Sequence, residues 1–330
     1  MNTTGGVVML KAECDKIVDK LLDMNPDPIP RFVLLKDFKG LNASDSGYQT
    51  LYEMVCNHPF IKKREERQNQ HGFWHPFHGF TEGVIRHLLS YGLDRANPVL
   101  DKVSQCLVAL LQGKVSTGQH EKQDNPLWYP KMFEPLIFAS MLTLTDPENN
   151  LIEEQRQQWA HFANISFSSG VYDKHADDKA QHEHFGFTTK RTIPPFSYYN
   201  LLLQAPNNSN CYLSDNTDQA LVDYCMNEAD GVYYVYNNKP CELVSIDAQN
   251  RDSRDFVHWI RALSLIAQFK GWAKYEQKYV DWIMTQRNND GLWEFPRKFD
   301  FVLSNSWRGK NKIIDSTIFV LRFLMKMKAF

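Results

Sequence analysis

The sequence predicts an all-α fold in which two layers of helices close into a ring, an (α/α)5–6 toroid. Three observations predict it. Apolar helix-like segments alternate with amphipathic ones along the 330 residues, and a turn followed by an aromatic residue recurs between them. Hydrophobic residues make up 43% of the chain and aromatic residues 13%, which suits a large interior. We therefore expect residues 1–330 to form a single domain.

The recurring turn places an aromatic residue two positions after a glycine or proline. Its five copies read QHGFWHP, DNPLWYP, SSGVYDK, ADGVYYVY and NDGLWEF, with Trp74, Trp128, Tyr172, Tyr233 and Trp293 as the aromatic residues. These residues are separated by 54, 44, 61 and 60 positions, which leaves room for two helices each time. Glycine lets the chain leave a helix, and the aromatic ring can then cover the helix end. The turn is thus predicted to link one helical hairpin to the next.

Each copy of the turn separates two kinds of helix. The preceding segments are LYEMVCNHPFIKKREERQ, NPVLDKVSQCLVALLQGK, NLIEEQRQQWAHFANI, DQALVDYCMNEA and KYEQKYVDWIMTQ, whose apolar residues recur every three or four positions. The following segments are FTEGVIRHLLSYG, MFEPLIFASMLTLT, PPFSYYNLLLQ, RDFVHWIRALSLIAQF and IIDSTIFVLRFLMKM, and PIPRFVLLKDFKG is one more of this apolar kind. Helices that are apolar on most sides are buried, so we expect an inner ring of about six apolar helices inside an amphipathic outer layer.

A polar stretch at about 168–192 interrupts this alternation and is predicted to be an insertion loop over one mouth of the ring. Imidazoles and carboxylates cluster in it, and such groups can bind zinc, manganese or iron. Their spacing matches no standard metal site. The residues are His175, His182 and His184 with Asp173, Asp177 and Asp178.

Charge and cysteine content exclude several classes of protein. The formal net charge is −2, and no large basic patch is present, so a nucleic-acid partner is not expected. The six cysteines are scattered without a Cys-x-x-Cys pair, which favours a reducing compartment. The sequence contains neither a signal-peptide core nor an apolar stretch of about 20 residues. These features predict a cytoplasmic protein that is not integral to a membrane.

The turns resemble the QW repeats of the terpenoid cyclase and protein prenyltransferase superfamily. In those repeats a helix ending in glutamine is followed by a turn and Gly-x-Trp. The residues that carry the resemblance are Gln286, Gly291 and Trp293, and Gln70 or Gln68 with Gly72 and Trp74. The resemblance implies a helical toroid around a wide apolar cavity. It also implies an enzyme that acts on an isoprenoid or a similarly apolar small molecule.

The chemical motifs of that superfamily are absent or incomplete. The sequence has neither the Asp-x-Asp-Asp acid motif nor the Asp-Asp-x-x-Asp magnesium motif. RDSRDFVHWIRALSLIAQF resembles the segment around the zinc-binding histidine of prenyltransferases, which would give that role to His258. The run Asp315-Ser316-Thr317 has threonine where the zinc set needs cysteine, and Asp223-Tyr224-Cys225 lies on an amphipathic helix. Zinc and magnesium are therefore possible but disfavoured cofactors, and no metal ligand is assigned.

Acidic residues near the starts of apolar helices are the candidate catalytic groups. Carboxylates at helix N-termini commonly act as caps, which is the structural alternative. In a ring, however, the same ends of all inner helices face one mouth of the cavity, where acids could act as general acid or base. We expect catalytic roles for Glu82, Glu134, Asp315, Asp255 and His258.

Candidate substrate contacts are aromatic, histidine and cationic residues near the same turns and helix starts. Arg308 could bind a phosphate or carboxylate or pair with one of the acids. The expected contacts are Trp74, His75, His78, Trp128, Tyr199, Trp307 and Arg308.

Three functions stay open from the sequence. The first is a terpenoid cyclase-like or prenyltransferase-like enzyme with an apolar substrate. The second is a carbohydrate-active hydrolase or lyase, since enzymes that act on uronate-containing glycans use similar helical rings with Asp, His, Tyr and Trp in the cleft. The third is a binding or scaffold protein without catalysis. The expected partner is accordingly a small apolar molecule or a glycan.

Overall fold

The described part of the chain is all-α. The computed structural model describes residues 3–118, 126–188, 191–204, 212–227, 232, 242–244, 254–295, 297–299 and 302–327. These residues form α-helices, short 3₁₀ and π turns and loops, without a β-strand. The α-helices are α1 (Thr3–Asp23), α2 (Pro28–Phe38), α3 (Tyr48–Cys56), α4 (Pro59–Arg67), α5 (Glu82–Ser90), α6 (Pro98–Leu111), α7 (Glu134–Thr145), α8 (Asn150–Ser166), α9 (Lys174–Phe185), α10 (Ser197–Leu203), α11 (Asp215–Asn227), α12 (Arg254–Ile266), α13 (Glu276–Thr285) and α14 (Lys310–Lys326).

The apolar helices contact one another in chain order. Helix α5 contacts α7, α7 contacts α10, α10 contacts α12, and α12 contacts α14. Helix α14 in turn contacts α2. The segment that follows α5 reaches α2 as well, because the Lys36 ammonium group donates to the Gly92 carbonyl oxygen at 2.7 Å. Every apolar helix therefore has two apolar helices or their flanking segments as neighbours.

Polar bonds join α14, the last described helix, to the α1–α2 region. The Arg322 guanidinium lies 2.7 Å from the Asp37 carboxylate of α2. The Lys310 ammonium group donates to the backbone carbonyls of Met24 and Asn25 between α1 and α2. We call these contacts the seam, since they connect residues more than 280 positions apart.

Several amphipathic helices pack against this set. Helix α6 contacts α7, α8 contacts both α7 and α10, and α1 contacts α2. Eight of the 12 residues of α7 are buried, whereas α13 buries only three of its ten. This difference in burial follows from the sequence. In α13 the apolar residues form a stripe along one face of the helix, and the remaining positions are polar.

The turn motif is the same at its first and last copies, and its sequence is Asn-x-x-Gly followed by an apolar residue and tryptophan. The side-chain oxygen of Asn69 accepts hydrogen bonds from the backbone N–H groups two and four residues later, and Asn288 does the same. The backbone of each asparagine also bonds to the glycine N–H and to the carbonyl of the apolar residue. Glycine has a positive φ in both copies, 99° at Gly72 and 74° at Gly291. Asparagine and glycine together therefore fix the turn.

The tryptophan of the motif ties the end of one helix to the segment before α5 in the first copy and to α14 in the last. The Trp74 indole donates to the Arg64 carbonyl of α4 at 2.9 Å, and the Trp293 indole donates to the Ile283 carbonyl of α13 at 2.8 Å. In each copy the backbone N–H and C=O of the tryptophan both bond to one threonine hydroxyl. For Trp293 this hydroxyl belongs to Thr317 of α14, with both distances 3.1 Å. The predicted linking role is thus explained by specific bonds.

The glutamine of the sequence pattern has different roles in the two copies. Gln68, rather than Gln70, supports the first turn, because its amide donates to the carbonyls of Gly72 and Val99. The corresponding position in the last copy is Arg287, whose guanidinium bonds to the Met284 carbonyl and to Glu13. Gln286 is partly buried and donates to the neighbouring Thr285 hydroxyl.

The middle copies depart from the motif. Trp128 is helical and stacks on Phe133 with ring centroids 4.5 Å apart. Tyr172 follows a glycine turn but donates its hydroxyl to Asp177 of α9 at 2.7 Å. The copy at Tyr233 lies outside the described residues. The shared turn geometry is therefore established at Trp74 and Trp293.

The predicted insertion loop at about 168–192 contains a helix, so this part of the prediction is wrong. Helix α9 begins after Asp173, whose carboxylate accepts from two backbone N–H groups, and ends at Gly186 with φ 77°. It buries Asp177, Ala180 and Gln181 against α8. Because only three positions are buried, its sequence lacks the apolar stripe that signals a helix. The three histidines on it are exposed, and no metal-binding group of three side chains occurs in the part of the chain that the structure describes.

Alanine at Gly72 should destabilise the protein more than alanine at Gly291. Both glycines have positive φ, which costs about 1 kcal/mol for other residues. At Gly72, in addition, a Cβ atom would lie 2.5 Å from the backbone oxygen of Lys102, whereas at Gly291 it would meet open space. We expect Gly72→Ala to lower the free energy of unfolding by about 2 kcal/mol more than Gly291→Ala. Urea denaturation of both variants measures this, and equal losses would contradict the close packing of the first turn on α6.

Candidate functional site

One cavity is bounded by all six apolar helices. It has a volume of about 470 Å³, and its walls come from α2, α5, α7, α10, α12 and α14 together with the loop before α14. Helices α2, α5, α7, α10 and α12 contribute residues from their C-terminal halves, while α14 contributes along most of its length. We call it the central cavity. Its size lies within the range typical of small-molecule sites.

The walls of the central cavity combine apolar surface with cationic groups. Leucine, isoleucine, phenylalanine and methionine residues form most of the lining. Arg86, Arg261, Arg322 and Lys326 also line it, against two carboxylates, those of Asp37 and Asp315. The lining therefore carries a formal net charge of +2 when both carboxylates are ionised.

Two of the arginines are held in place by other groups of the cavity. The Arg322 guanidinium donates to the Asp37 carboxylate and to the Ser90 carbonyl, both at 2.7 Å. Helix C-termini gather unpaired carbonyls, which attract cations. The Arg261 guanidinium lies 5.9 Å from the ring centre of Phe319, close enough for a cation–π contact. Both cations are thus positioned before any ligand binds.

Asp315 lies in the wall of the central cavity and is only 1% exposed. One carboxylate oxygen accepts from the backbone N–H groups of Leu303 and Ser304, at 3.0 and 3.1 Å, and the other accepts from the Ser304 hydroxyl at 2.7 Å. Burial raises the pKa of Asp315 to about 6, although the hydrogen bonds from Ser304 and Leu303 oppose the rise. This predicted acid therefore both anchors the preceding loop and faces the cavity.

Glu82 is the second predicted acid, and it forms a buried cluster with His78 and Tyr198. The Glu82 side chain is fully buried. One of its oxygens lies 2.9 Å from His78 Nδ1, and the other accepts from the Tyr198 hydroxyl at 2.5 Å. The Gly79 backbone N–H lies 3.3 Å from the first oxygen. We call Glu82, His78 and Tyr198 the Glu82 centre.

The local backbone explains how His78 reaches Glu82. A kinked segment, Phe77–Thr81, precedes α5, and its backbone leaves helical geometry at His78 (ψ 125°) and at Gly79 (φ 88°). The kink leaves His78 Nδ1 within hydrogen-bond distance of Glu82. A π-helical turn, Tyr129–Phe133, precedes α7.

Helical spacing relates the Glu82 centre to the central cavity. Residues three or four apart share a helix face. Glu82 is four residues before Arg86 on α5, and Tyr198 is three before Leu201 on α10, and both later residues line the cavity. Glu82 therefore lies on the face of α5 that carries Arg86, about 6 Å toward the helix N-terminus at a rise of about 1.5 Å per residue. The three residues of the Glu82 centre do not themselves line the cavity.

His258 and Glu134 occupy corresponding positions on other helices. His258 is buried and lies three residues before the cavity residue Arg261 on α12. Glu134 is partly buried at the start of α7 and accepts from the Thr117 hydroxyl at 2.6 Å. Its neighbour Phe133 makes edge contacts with the rings of His78 and Tyr198, at 5.7 Å in each case. Of the predicted acids whose side chains the structure describes, only Asp315 directly lines the central cavity.

The other predicted site residues have varied surroundings. Trp74 and Tyr199 are buried in the packing between helices, at 2% exposure each, and Trp128 is buried beneath Phe133. His75 is exposed, with its ring 4.7 Å from that of Phe73. None of these four residues lines the central cavity.

The last three candidates lie near α12 and α14. The Trp307 ring makes an edge contact at 5.1 Å with Phe299, a cavity residue. Arg308 is exposed in the loop before α14. Asp255 belongs to α12, but its side chain lies outside the described residues.

The arginines of the cavity were not predicted from the sequence, although a signal for them exists. Arg86, Arg261 and Arg322 each follow an aliphatic residue inside an otherwise apolar helix, in VIRHLL, WIRALS and VLRFLM. A cation in the middle of a buried helix is costly unless it faces a polar or hydrated space. Three such positions in three apolar helices could therefore have indicated a shared cavity.

No described helix combines the length and the apolar composition that crossing a membrane would need. Comparison with known protein families, with curated proteins and with solved structures finds no match to this chain.

Proposed function

We propose that the six apolar helices form the inner layer of a closed double ring, the (α/α)5–6 toroid that the sequence predicts. Two observations support the proposal. The apolar helices contact one another in chain order, with α14 next to α2, and all six border one cavity. Amphipathic helices contact the apolar ones, α6 and α8 with α7 and α1 with α2. A closed ring accounts for both observations with one arrangement.

Within this ring, we propose that the central cavity binds a small amphiphile with an apolar body and an anionic head group. The observation that carries the proposal is the lining, which joins apolar walls to three arginines. Arginine binds phosphate and carboxylate groups in a two-pronged manner. Among such ligands, the resemblance to terpenoid cyclases and prenyltransferases favours a prenyl diphosphate. Because the sequence lacks the carboxylate motif for magnesium, the arginines would hold the head group.

Thermal unfolding with a panel of compounds tests this function. The panel contains farnesyl diphosphate, farnesol, inorganic pyrophosphate and a uronate disaccharide. Farnesyl diphosphate should stabilise the protein most, by about 2.7 kcal/mol at 100 times its dissociation constant. Stabilisation by the disaccharide alone would favour the carbohydrate-active alternative. A lack of stabilisation by either prenyl compound would overturn the proposal and favour the scaffold alternative.

Replacing Arg261 by glutamine should weaken the binding of farnesyl diphosphate. A hydrogen bond to a charged group contributes about 1.5–3 kcal/mol, so the dissociation constant should rise by about 10-fold to 100-fold. Isothermal titration calorimetry measures the change. Arg95→Gln is the matched control, because Arg95 pairs with Asp101 and Asp146 outside the cavity lining. Equal affinities of the two variants would exclude Arg261 from head-group binding.

A further inference from the structure

We infer that the Glu82 centre is a proton-transfer site for the ligand of the central cavity, with His78 Nε2 as the atom that exchanges the proton. The inference rests on the proposed function for its ligand, an anionic amphiphile. To the proposed binding function it adds a catalytic site and a role for Tyr198. It also predicts the direction in which the ligand lies in the central cavity.

The bonding within the centre fixes the state of the histidine. In the proposed mechanism Glu82 acts as a carboxylate, which only accepts hydrogen bonds, and the 2.9 Å contact with His78 Nδ1 then assigns a hydrogen to Nδ1. In the neutral ring the other nitrogen, Nε2, is then the acceptor. The Tyr198 hydroxyl and the Gly79 N–H also donate hydrogen bonds to the Glu82 carboxylate and hold it in one orientation. The carboxylate thus orients the imidazole as a base.

The burial of Glu82 strengthens its interaction with the His78 ring. Glu82 is fully buried, whereas the His78 side chain keeps 29% of its surface exposed. A carboxylate away from water interacts strongly with an adjacent imidazolium, so proton uptake by His78 would be stabilised where it occurs.

The position of the centre defines how a ligand would lie. Glu82 and Arg86 share one face of α5, about 6 Å apart along the helix. A ligand whose anionic head group contacts the arginines can therefore extend its apolar body toward His78. The helix N-termini lie at that end, and the C-terminal halves surround the head group.

The proton transfer is balanced without an oxidant or a cofactor. His78 Nε2 accepts a proton from a C–H or O–H group of the ligand, and the electron pair of that bond stays on the ligand. Glu82 stays ionised and stabilises the imidazolium. The same proton then returns to a different atom of the ligand, which regenerates the neutral imidazole and completes an isomerisation.

Chemical labelling of His78 tests the inference. Diethyl pyrocarbonate acylates neutral imidazoles, and mass spectrometry of the digested protein gives the rate at each histidine. We compare the wild type with Glu82→Gln and use exposed His184 of α9 as the internal reference. The labelling rate is followed from pH 5 to pH 8, and the change should move the midpoint of the pH–rate profile of His78 to lower pH by about one unit, because an adjacent carboxylate favours the charged imidazole. The rate at His184 should stay the same.

A second measurement uses the wild-type chain, so it decides the inference even where Glu82→Gln does not fold. Saturating farnesyl diphosphate should slow the labelling of His78 by at least about fivefold, because the bound ligand would cover the ring. An unchanged midpoint of the pH–rate profile of His78 in Glu82→Gln would show that the carboxylate does not act on the base. Thermal stabilisation by farnesyl diphosphate without protection of His78 would overturn the inference and leave the proposed function intact. A lack of thermal stabilisation would overturn the proposed function and the ligand named here together.

Discussion

Replacing Trp293 by alanine should lower the free energy of unfolding by about 3–5 kcal/mol, because the change removes a large buried ring and leaves a cavity. The Trp293 side chain is 1% exposed and is one of the largest fully buried side chains. Its indole is also the hydrogen-bond partner of the Ile283 carbonyl at the end of α13. Urea denaturation, with its midpoint and slope, measures the loss.

Two further variants show whether the turn motif explains this loss. Trp74→Ala should cost about as much, since Trp74 occupies the same position and makes the same kind of bond to Arg64. Trp282→Ala is the matched control, because Trp282 lies on α13 but is only partly buried. A loss for Trp282→Ala as large as that for Trp293→Ala would show that any tryptophan in this region contributes equally.

Replacing Asp315 by alanine should cost about 3 kcal/mol or more, which is the second large effect that we expect. The backbone N–H groups of Leu303 and Ser304 would lose their partner inside the protein, and each such loss costs about 1–3 kcal/mol. Asp315→Asn should cost much less. Its amide oxygen can accept from both N–H groups while its amide nitrogen donates to the Ser304 hydroxyl.

The comparison of the wild type with Asp315→Asn also predicts a dependence on pH. The pKa of Asp315 is raised from its ordinary value of 3.8 to about 6 in the folded protein. As the pH falls from about 6 to about 4, the folded state takes up a proton that the unfolded state does not, so the wild type gains stability. The asparagine variant lacks this gain. Its deficit relative to the wild type should therefore grow in this range, by an amount on the order of 2–3 kcal/mol.

Denaturation of both proteins between pH 4 and pH 7 measures this difference. Burial also raises the pKa values of Asp177 and Asp218, but these groups are present in both proteins and their effects cancel. A difference between the two proteins that does not change with pH would show that Asp315 has an ordinary pKa in the folded state.

The sequence predicts the helices that have a clear apolar period and the turns that need glycine. The alternation of apolar and amphipathic segments anticipates α2, α5, α7, α10, α12 and α14, since each of these segments is rich in apolar residues. It does not anticipate α9, because that helix is held by its caps and by a few buried positions. The hydrogen bonds that Asn69 and Asn288 make in the turns were not predicted either, although a side chain that accepts from backbone N–H groups is a known turn signal.

The candidate site was harder to predict than the helices. Glu82 and His78 were identified one by one, as an acid at a helix start and a histidine near a turn. Their pairing depends on the departure from helical geometry at Gly79, and their link to Tyr198 joins residues 116 positions apart. Long-range contacts of this kind leave no local pattern in a single sequence. The arginines were not predicted, because each is a lone cation in its own helix and only the fold brings them to one cavity.

The seam also has a consequence for how the chain matures during synthesis. Asp37 leaves the ribosome 285 residues before Arg322, its partner. At about 5–20 residues per second, this interval lasts roughly 15–60 seconds. For that time the surface of α2 that later faces α14 has no partner from its own chain. We therefore expect the nascent protein to depend on chaperones until α14 emerges.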